Sequence, residues 1–250
     1  MKIRKEAVIV IIIAILFIIG IGMYSRYQID KSREAFAVRI MSDDSTVSSA
    51  TVEQLKAAIA ANEKKMEQHV QDAAKTAYYW KILSVRLQDR GLYGDALEAL
   101  KHAIYYAPSD PVLQYYTGLS AGILAKSTHS NPGATDESTG RAQYFALAEE
   151  AYLRAIELDP KYTRPMYGLA VLYVFELNRP EEAIPYLKRC LEITRNDVDS
   201  MAVMARAYFM LKDYKSALDL YNLIISVTTD PQKRIDAQNN RQIVMGFTRG

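Results

Sequence analysis

The stretch AYYWKILSVRLQDRGLYGDALEALKHAIYYAPSD, residues 77–110, decides the fold. Trp80, Leu83 and Leu87 recur at helical spacing, and a second apolar stripe begins at Tyr93. Gly91 lies between the two stripes, where a chain reversal needs a turn residue. Ser84, Ala96 and Ala103 are small at positions where two helices would approach closely. Pro108 stops the second helix, because proline holds the residue before it away from the helical region. The stretch therefore reads as a helix, a tight turn and a second helix in 34 residues.

The same pattern returns three times. A second first helix starts at Asp110-Pro111, a cap followed by a first-turn proline, and carries Gly118 at the small position. Its partner helix holds Ala148, Tyr152, Ala155 and Pro160 in phase. A polar insertion at 127–144 separates the two and reads as a surface loop. The third unit begins at Thr163, with Met166, Leu169, Ala170 and Tyr173, then Ala183, Leu187 and Cys190. One extra residue falls in its turn at Asn178 to Pro180. Pro185 lies inside its second helix and predicts a late start or a kink, since an interior proline costs about 3 kcal/mol. The fourth carries Met201, Met204, Ala205, Tyr208, Tyr214, Ala217, Tyr221 and Ile224.

These units resemble the tetratricopeptide-repeat family, whose period is 34 residues. The expected fold is an all-α helical-hairpin solenoid of about four repeats (77–110, 111–162, 163–197 and 198–231). Residues 232–250 form a C-terminal capping helix and tail, polar enough to end a solenoid in water. A leading helix at 51–76 precedes the repeats, with Thr51 and Gln54 at capping-box spacing. Its apolar stripe is Val52, Leu55, Ile59, Met66 and Val70.

The resemblance implies a concave groove lined by the first helix of each repeat. Carried over position by position, its protein-binding residues are Tyr78, Lys81, Val85, Val112, Tyr115, Leu119, Ile123, Arg164, Tyr167, Val171, Phe175, Arg206 and Phe209. Some family members grip a chaperone's C-terminal carboxylate in this groove. Lys81 and Arg164 suit that role, but Val85 and Tyr116 replace the expected asparagines and Gly168 the expected arginine. A chaperone-tail clamp is therefore not the expectation here.

The N-terminus has a different character. Residues 1–6 are basic, and residues 7–25 form a charge-free run of Ile, Val, Leu, Phe and Ala. As a helix that run spans roughly 28 Å, close to the hydrocarbon thickness of a bilayer. We expect an uncleaved transmembrane helix, with residues 26–50 as a flexible linker. The basic tail favours an N-terminus on the cytoplasmic side of the inner membrane, with single-pass topology and extracytoplasmic repeats.

Composition excludes several function classes. The 31 basic and 29 acidic residues leave a net charge of +2, with no pull towards nucleic acid. The single Cys190 sits at a small core position, and His69, His102 and His129 lack ligand-spaced partners, so no metal is expected. No phosphate loop, nucleophile elbow or zinc-protease motif is present, so neither catalytic residues, a cofactor nor a small-molecule substrate is expected. The expected function is protein or peptide binding, as a membrane-anchored scaffold or adaptor of the cell envelope. A chaperone-like holder of apolar segments and an oligomer built through the leading helix are the alternatives.

Overall fold

The computed structural model describes residues 51–127 and 137–248. Among them are α1 (Val52–Asp89), α2 (Tyr93–Tyr106), α3 (Pro111–Ser127), α4 (Glu137–Leu158) and α5 (Thr163–Val171). A π-helical turn, Leu172–Glu176, continues α5, and α6 (Pro180–Ile193), α7 (Val198–Met210), α8 (Tyr214–Val227) and α9 (Pro231–Phe247) follow. No strand occurs among the described residues. The chain divides into two compact units, Met1–Asp72 and Ala73–Gly250. The expected membrane span at 7–25 and linker at 26–50 lie outside the described residues. No described helix is long and apolar enough to cross a membrane.

In the first unit the described residues open α1. The backbone N–H of Thr51 donates to Gln54 Oε1 at 2.9 Å, and Gln54 N–H donates to Thr51 Oγ1 at 3.3 Å, which is the reciprocal capping box. No break follows at residue 76: the leading helix and the first helix of repeat one are the single helix α1. The junction contains no glycine or proline to stop it, only the helix-compatible run Asp72-Ala-Ala-Lys-Thr-Ala77.

In the second unit the helices alternate as sequence spacing predicts. Asp110, Asp197, Asp213 and Asp230 cap α3, α7, α8 and α9, each accepting a backbone N–H of the first turn. The turns inside repeats one, three and four are fixed by left-handed residues. Gly91 has φ 74°, Asn178 φ 53° and Lys212 φ 62°. Each stands five residues before the small alanine of its second helix, namely Ala96, Ala183 and Ala217. The turn of repeat three thus has the ordinary length, and its extra residue is not there. In repeats one and four the closing bond reaches five residues back, Leu92 N–H to Leu87 O and Asp213 N–H to Tyr208 O, both at 2.9 Å. In repeat three it reaches six, Arg179 N–H to Tyr173 O at 2.8 Å. The insertion is absorbed in the first helix as the π-turn, where Leu177 N–H bonds Leu172 O at 3.0 Å.

Two further expectations change. The insertion at 127–144 is not all loop, because α4 begins at Glu137. Arg141, Tyr144 and Phe145 extend the apolar phase of Ala148 and Tyr152 backwards by two turns. Nor does Pro185 force a late start, since α6 runs from Pro180 to Ile193 through it. Pro185 is exposed, so the carbonyl it leaves unpaired, that of the equally exposed Glu181, faces water.

The repeats close around Tyr152. Its ring is 5 % exposed and lies between α3 and α5. A Cβ on Gly118 would meet the ring at 2.7 Å, and one on Gly168 would meet it at 2.8 Å. Two substitutions test this frame. Gly168→Ala should destabilise by about 1–3 kcal/mol through overpacking, even though alanine suits a helix better than glycine. Lys212→Gly should stabilise by about 1 kcal/mol by relieving a left-handed side chain. Thermal and urea unfolding followed by circular dichroism measures both.

Candidate functional site

The second unit holds an open trough between α3 and α5. On α3, Tyr115, Leu119, Gly122 and Ile123 share one face by helical spacing. On α5, Arg164, Tyr167, Gly168 and Val171 do the same. Phe145 and Tyr152 of α4 form the floor. Lys126 and Glu176 stand at one end, and the cavity holds about 240 Å³. Six of the thirteen residues proposed from sequence come together here: Tyr115, Leu119, Ile123, Arg164, Tyr167 and Val171.

The other seven lie elsewhere. Tyr78 is exposed, with the Lys81 ammonium 5.9 Å from its ring centre. Lys81 is engaged by Asp110 at 3.2 Å and is not a free cation. Val85 and Val112 are half-buried and outside the trough, while Phe175 is exposed beyond its end. Arg206 lies 5.4 Å from the Phe209 ring centre. Phe209 is partly covered from the C-terminal side, with the Phe247 ring 5.3 Å away and the Tyr214 ring 5.9 Å away. Lys233 of α9 also holds Asp199 at 2.7 Å. Helix α9 therefore occupies part of repeat four's concave face, and the trough of repeats two and three stays open.

Lining residues outside the sequence assignment include Lys126, Phe145, Tyr152 and Glu176. Phe145 lies one residue past the loop expected at 127–144, and Tyr152 reads from sequence only as an in-phase residue of repeat two's second helix. Lys126 lies past the usual contact positions, and Glu176 reaches the trough by way of the π-turn. A longer α4 was legible in the phase shared by Phe145, Ala148 and Tyr152. The π-turn left no local signal.

The Arg164 end of the trough is rich in tyrosine. The Tyr115 ring lies 5.3 Å from Tyr116, 6.3 Å from Tyr152 and 5.6 Å from Tyr162. Burial raises the phenol of Tyr115 above its ordinary value, with Arg164 pulling the other way. Burial together with the neighbouring Tyr115 pushes Tyr162 up to about 12. Tyr167 is raised by burial and by Asp199 and Asp197. These groups stay neutral at physiological pH and present hydroxyls on an apolar wall. On the far side of repeat two's second helix, Tyr173 donates to Glu149 at 2.9 Å. Arg179 bonds the same carboxylate at 3.1 Å and sits 4.6 Å from the Tyr173 ring centre.

His102 stacks on Trp80 at 4.5 Å and Cys190 is buried, its thiol raised to about 11 by burial. A buried thiol held protonated is a poor nucleophile. No group of metal-ligating side chains gathers among the described residues.

Stacked helical hairpins with an open apolar trough define a repeat-type binding module. The match to known proteins is consistent with that class. Residues 174–237 match the tetratricopeptide-repeat family model. A tetratricopeptide-repeat protein of Borreliella burgdorferi is 22% identical over 193 residues, covering 77% of this chain and 81% of the relative. Among solved structures, the tetratricopeptide-repeat protein YrrB superposes with a TM-score of 0.55 at 16% identity, covering 73% of this chain and 83% of YrrB. A tetratricopeptide-repeat protein of Thermus thermophilus gives 0.51 at 17% identity, covering 86% of this chain and 98% of the other. These likenesses are to tetratricopeptide-repeat proteins, and the fold is an all-α solenoid like theirs. Tetratricopeptide-repeat proteins typically serve as interaction modules.

The raised phenols set an alkaline limit on stability. An unfolded tyrosine ionises near pH 10, whereas folded Tyr162 does so near 12. Between those values the folded state binds more protons, so stability falls as pH rises. The contribution is present in full below pH 10 and is lost as pH rises through about 12. Ultraviolet titration of tyrosinate should show a late-ionising class, and Tyr162→Phe should remove one member of it.

Proposed function

We propose that this protein is a membrane-anchored adaptor that binds an extended peptide segment of a partner protein in the trough between α3 and α5. The observation that carries the reading is the apolar cavity of about 240 Å³, left open while α9 occupies the neighbouring part of the concave face. Unfilled apolar surface of this kind, rimmed by polar groups, marks interaction sites. YrrB, similar in fold, is described as having an unusual peptide-binding site, which fits the reading without fixing a ligand. Residues 7–25 supply the anchor in this proposal, from their length and lack of charge. The repeats then lie outside the cytoplasm, as an envelope scaffold.

A second reading has one observation in its favour. Along the first turns of α1, Val52, Ile59, Met66 and Val70 are each more than half exposed on one stripe. Such a stripe suits self-association through the leading helix. Light scattering of the full chain in detergent separates the two, since a monomer removes the oligomer reading.

The groove reading is tested by placing a photocrosslinking amino acid at Leu119 in cells. A discrete crosslinked partner is expected, and it should vanish in Tyr167→Asp without loss of helical signal. Crosslinks unchanged by Tyr167→Asp would remove the groove from the account. The anchor is tested separately: the full chain should resist extraction by alkaline carbonate, and deletion of residues 7–25 should release it.

A further inference from the structure

The proposed groove has unequal ends. At the Arg164 end charges offset one another. Arg164 shares a small cleft with Asp197 and Asp199, and Asp199 is paired with Lys233 at 2.7 Å. At the other end, among the described residues, Glu176 faces two cations, Lys126 at 3.1 Å and Arg141 at 3.6 Å. Glu176 is largely buried, its side chain 15% exposed, while that of Lys126 is 63% exposed and free to take a second partner. The Arg141 guanidinium lies 5.2 Å from the Phe145 ring centre, beside the trough floor. Its Nε is buried and has no hydrogen-bond partner among the described residues. A buried unpaired guanidinium N–H is costly and points to a missing acceptor.

Among the described residues the surplus at this end is one positive charge. The carbonyl end of α3 offsets about half a unit and only within its last turn. From Arg164 to Glu176 the helical path covers about 18 Å, room for about five residues of extended chain. An apolar side chain seated in the cavity therefore has a neighbour within reach of Lys126 and Arg141.

Resting on the groove reading above, we propose that the trough selects a partner segment with one large apolar side chain in the cavity and an acidic side chain beside it, held by Lys126 and Arg141. The acid comes from a side chain and not from a chain terminus. Val85, Tyr116 and Gly168 remove the asparagines and arginine that a terminal-carboxylate clamp would need, and the surplus charge lies at the opposite end of the trough from Arg164.

The test uses the full chain in detergent micelles and two fluorescent nine-residue peptides blocked at both termini. Each has a central leucine, followed by three aspartates in one and three lysines in the other. Two variants accompany them. Gly122→Leu fills the cavity, and its Cβ meets only the Ala148 Cβ at 4.0 Å, an ordinary contact. Lys126→Glu reverses an exposed charge. Fluorescence anisotropy should show the aspartate peptide binding at least tenfold tighter than the lysine peptide, with the gap shrinking as salt is raised. Lys126→Glu should erase that preference, and Gly122→Leu should abolish binding of both peptides. Equal binding of the two peptides, both lost in Gly122→Leu, would overturn the acidic preference and leave the groove standing. No binding of either peptide, or binding untouched by Gly122→Leu, would overturn the groove reading itself. A third peptide, leucine-centred without aspartates and with a free C-terminus, should bind no tighter than its amidated form; a tenfold gain there would assign the carboxylate to a chain end and overturn the side-chain proposal.

Discussion

The ring of Tyr152 sets the geometry on which the binding face depends. It is the part of α4 that touches α3 and α5 together, and both helices meet it with glycine, Gly118 and Gly168. A methyl group on either helix would push it away from the ring by several tenths of an ångström. Because interiors pack as densely as organic crystals, such a push is passed on and not absorbed. The spacing of α3 and α5 is also the width of the trough. One buried aromatic side chain thus sets core packing and the dimensions of the cavity above it.

The π-turn answers a different problem. The first helix of repeat three has one residue more than its counterparts, yet its turn to α6 is of ordinary length. A wider helical turn takes up the excess and rotates the residues that follow. Glu176 is thereby carried to the trough, where it meets Lys126 and Arg141. The distorted turn is fastened on its other side by Arg179 and Tyr173, both bonded to Glu149. Arg179 also pairs with Glu182 one turn into α6. Packed on the Tyr173 ring and only partly in water, this network is worth more than an exposed ion pair. Pi-turns recur at functional sites because they move a side chain without breaking the helix.

The repeat architecture was legible from residues 77–110 because its spacing encodes mutual packing. Small residues mark close approach, Gly91 marks the left-handed turn, and aspartates mark helix starts. Lys212 occupies the same left-handed position as Gly91, so residue type alone would have hidden that turn, and only the period revealed it. The six groove residues that converge were legible for the same reason, since they sit on helices whose phase the repeat fixes. What the sequence hid depends on departures from the period. An insertion can widen a turn or bulge a helix, and the two give the same count of residues. Coverage of Phe209 by Phe247 depends on where α9 lies, which no local pattern states.

The departures are also where repeat three differs from its neighbours in chemistry. A regular solenoid presents equivalent positions at equal intervals and so offers similar surfaces along its length. Here two irregularities meet at one end of one trough. The insertion at 127–144 starts one residue after Lys126 and contains Arg141, and the π-turn supplies Glu176 between the two cations. Remove the extra residue in repeat three and Glu176 would rotate by about 100°, the angle of one helical residue. It would then lie off the trough, leaving two cations beside an apolar cavity without a counter-charge. With it in place, the carboxylate pairs with both cations and, among the described residues, leaves one positive charge unmatched. Pre-oriented charge beside an apolar seat favours specificity over raw affinity, which suits the adaptor role proposed above.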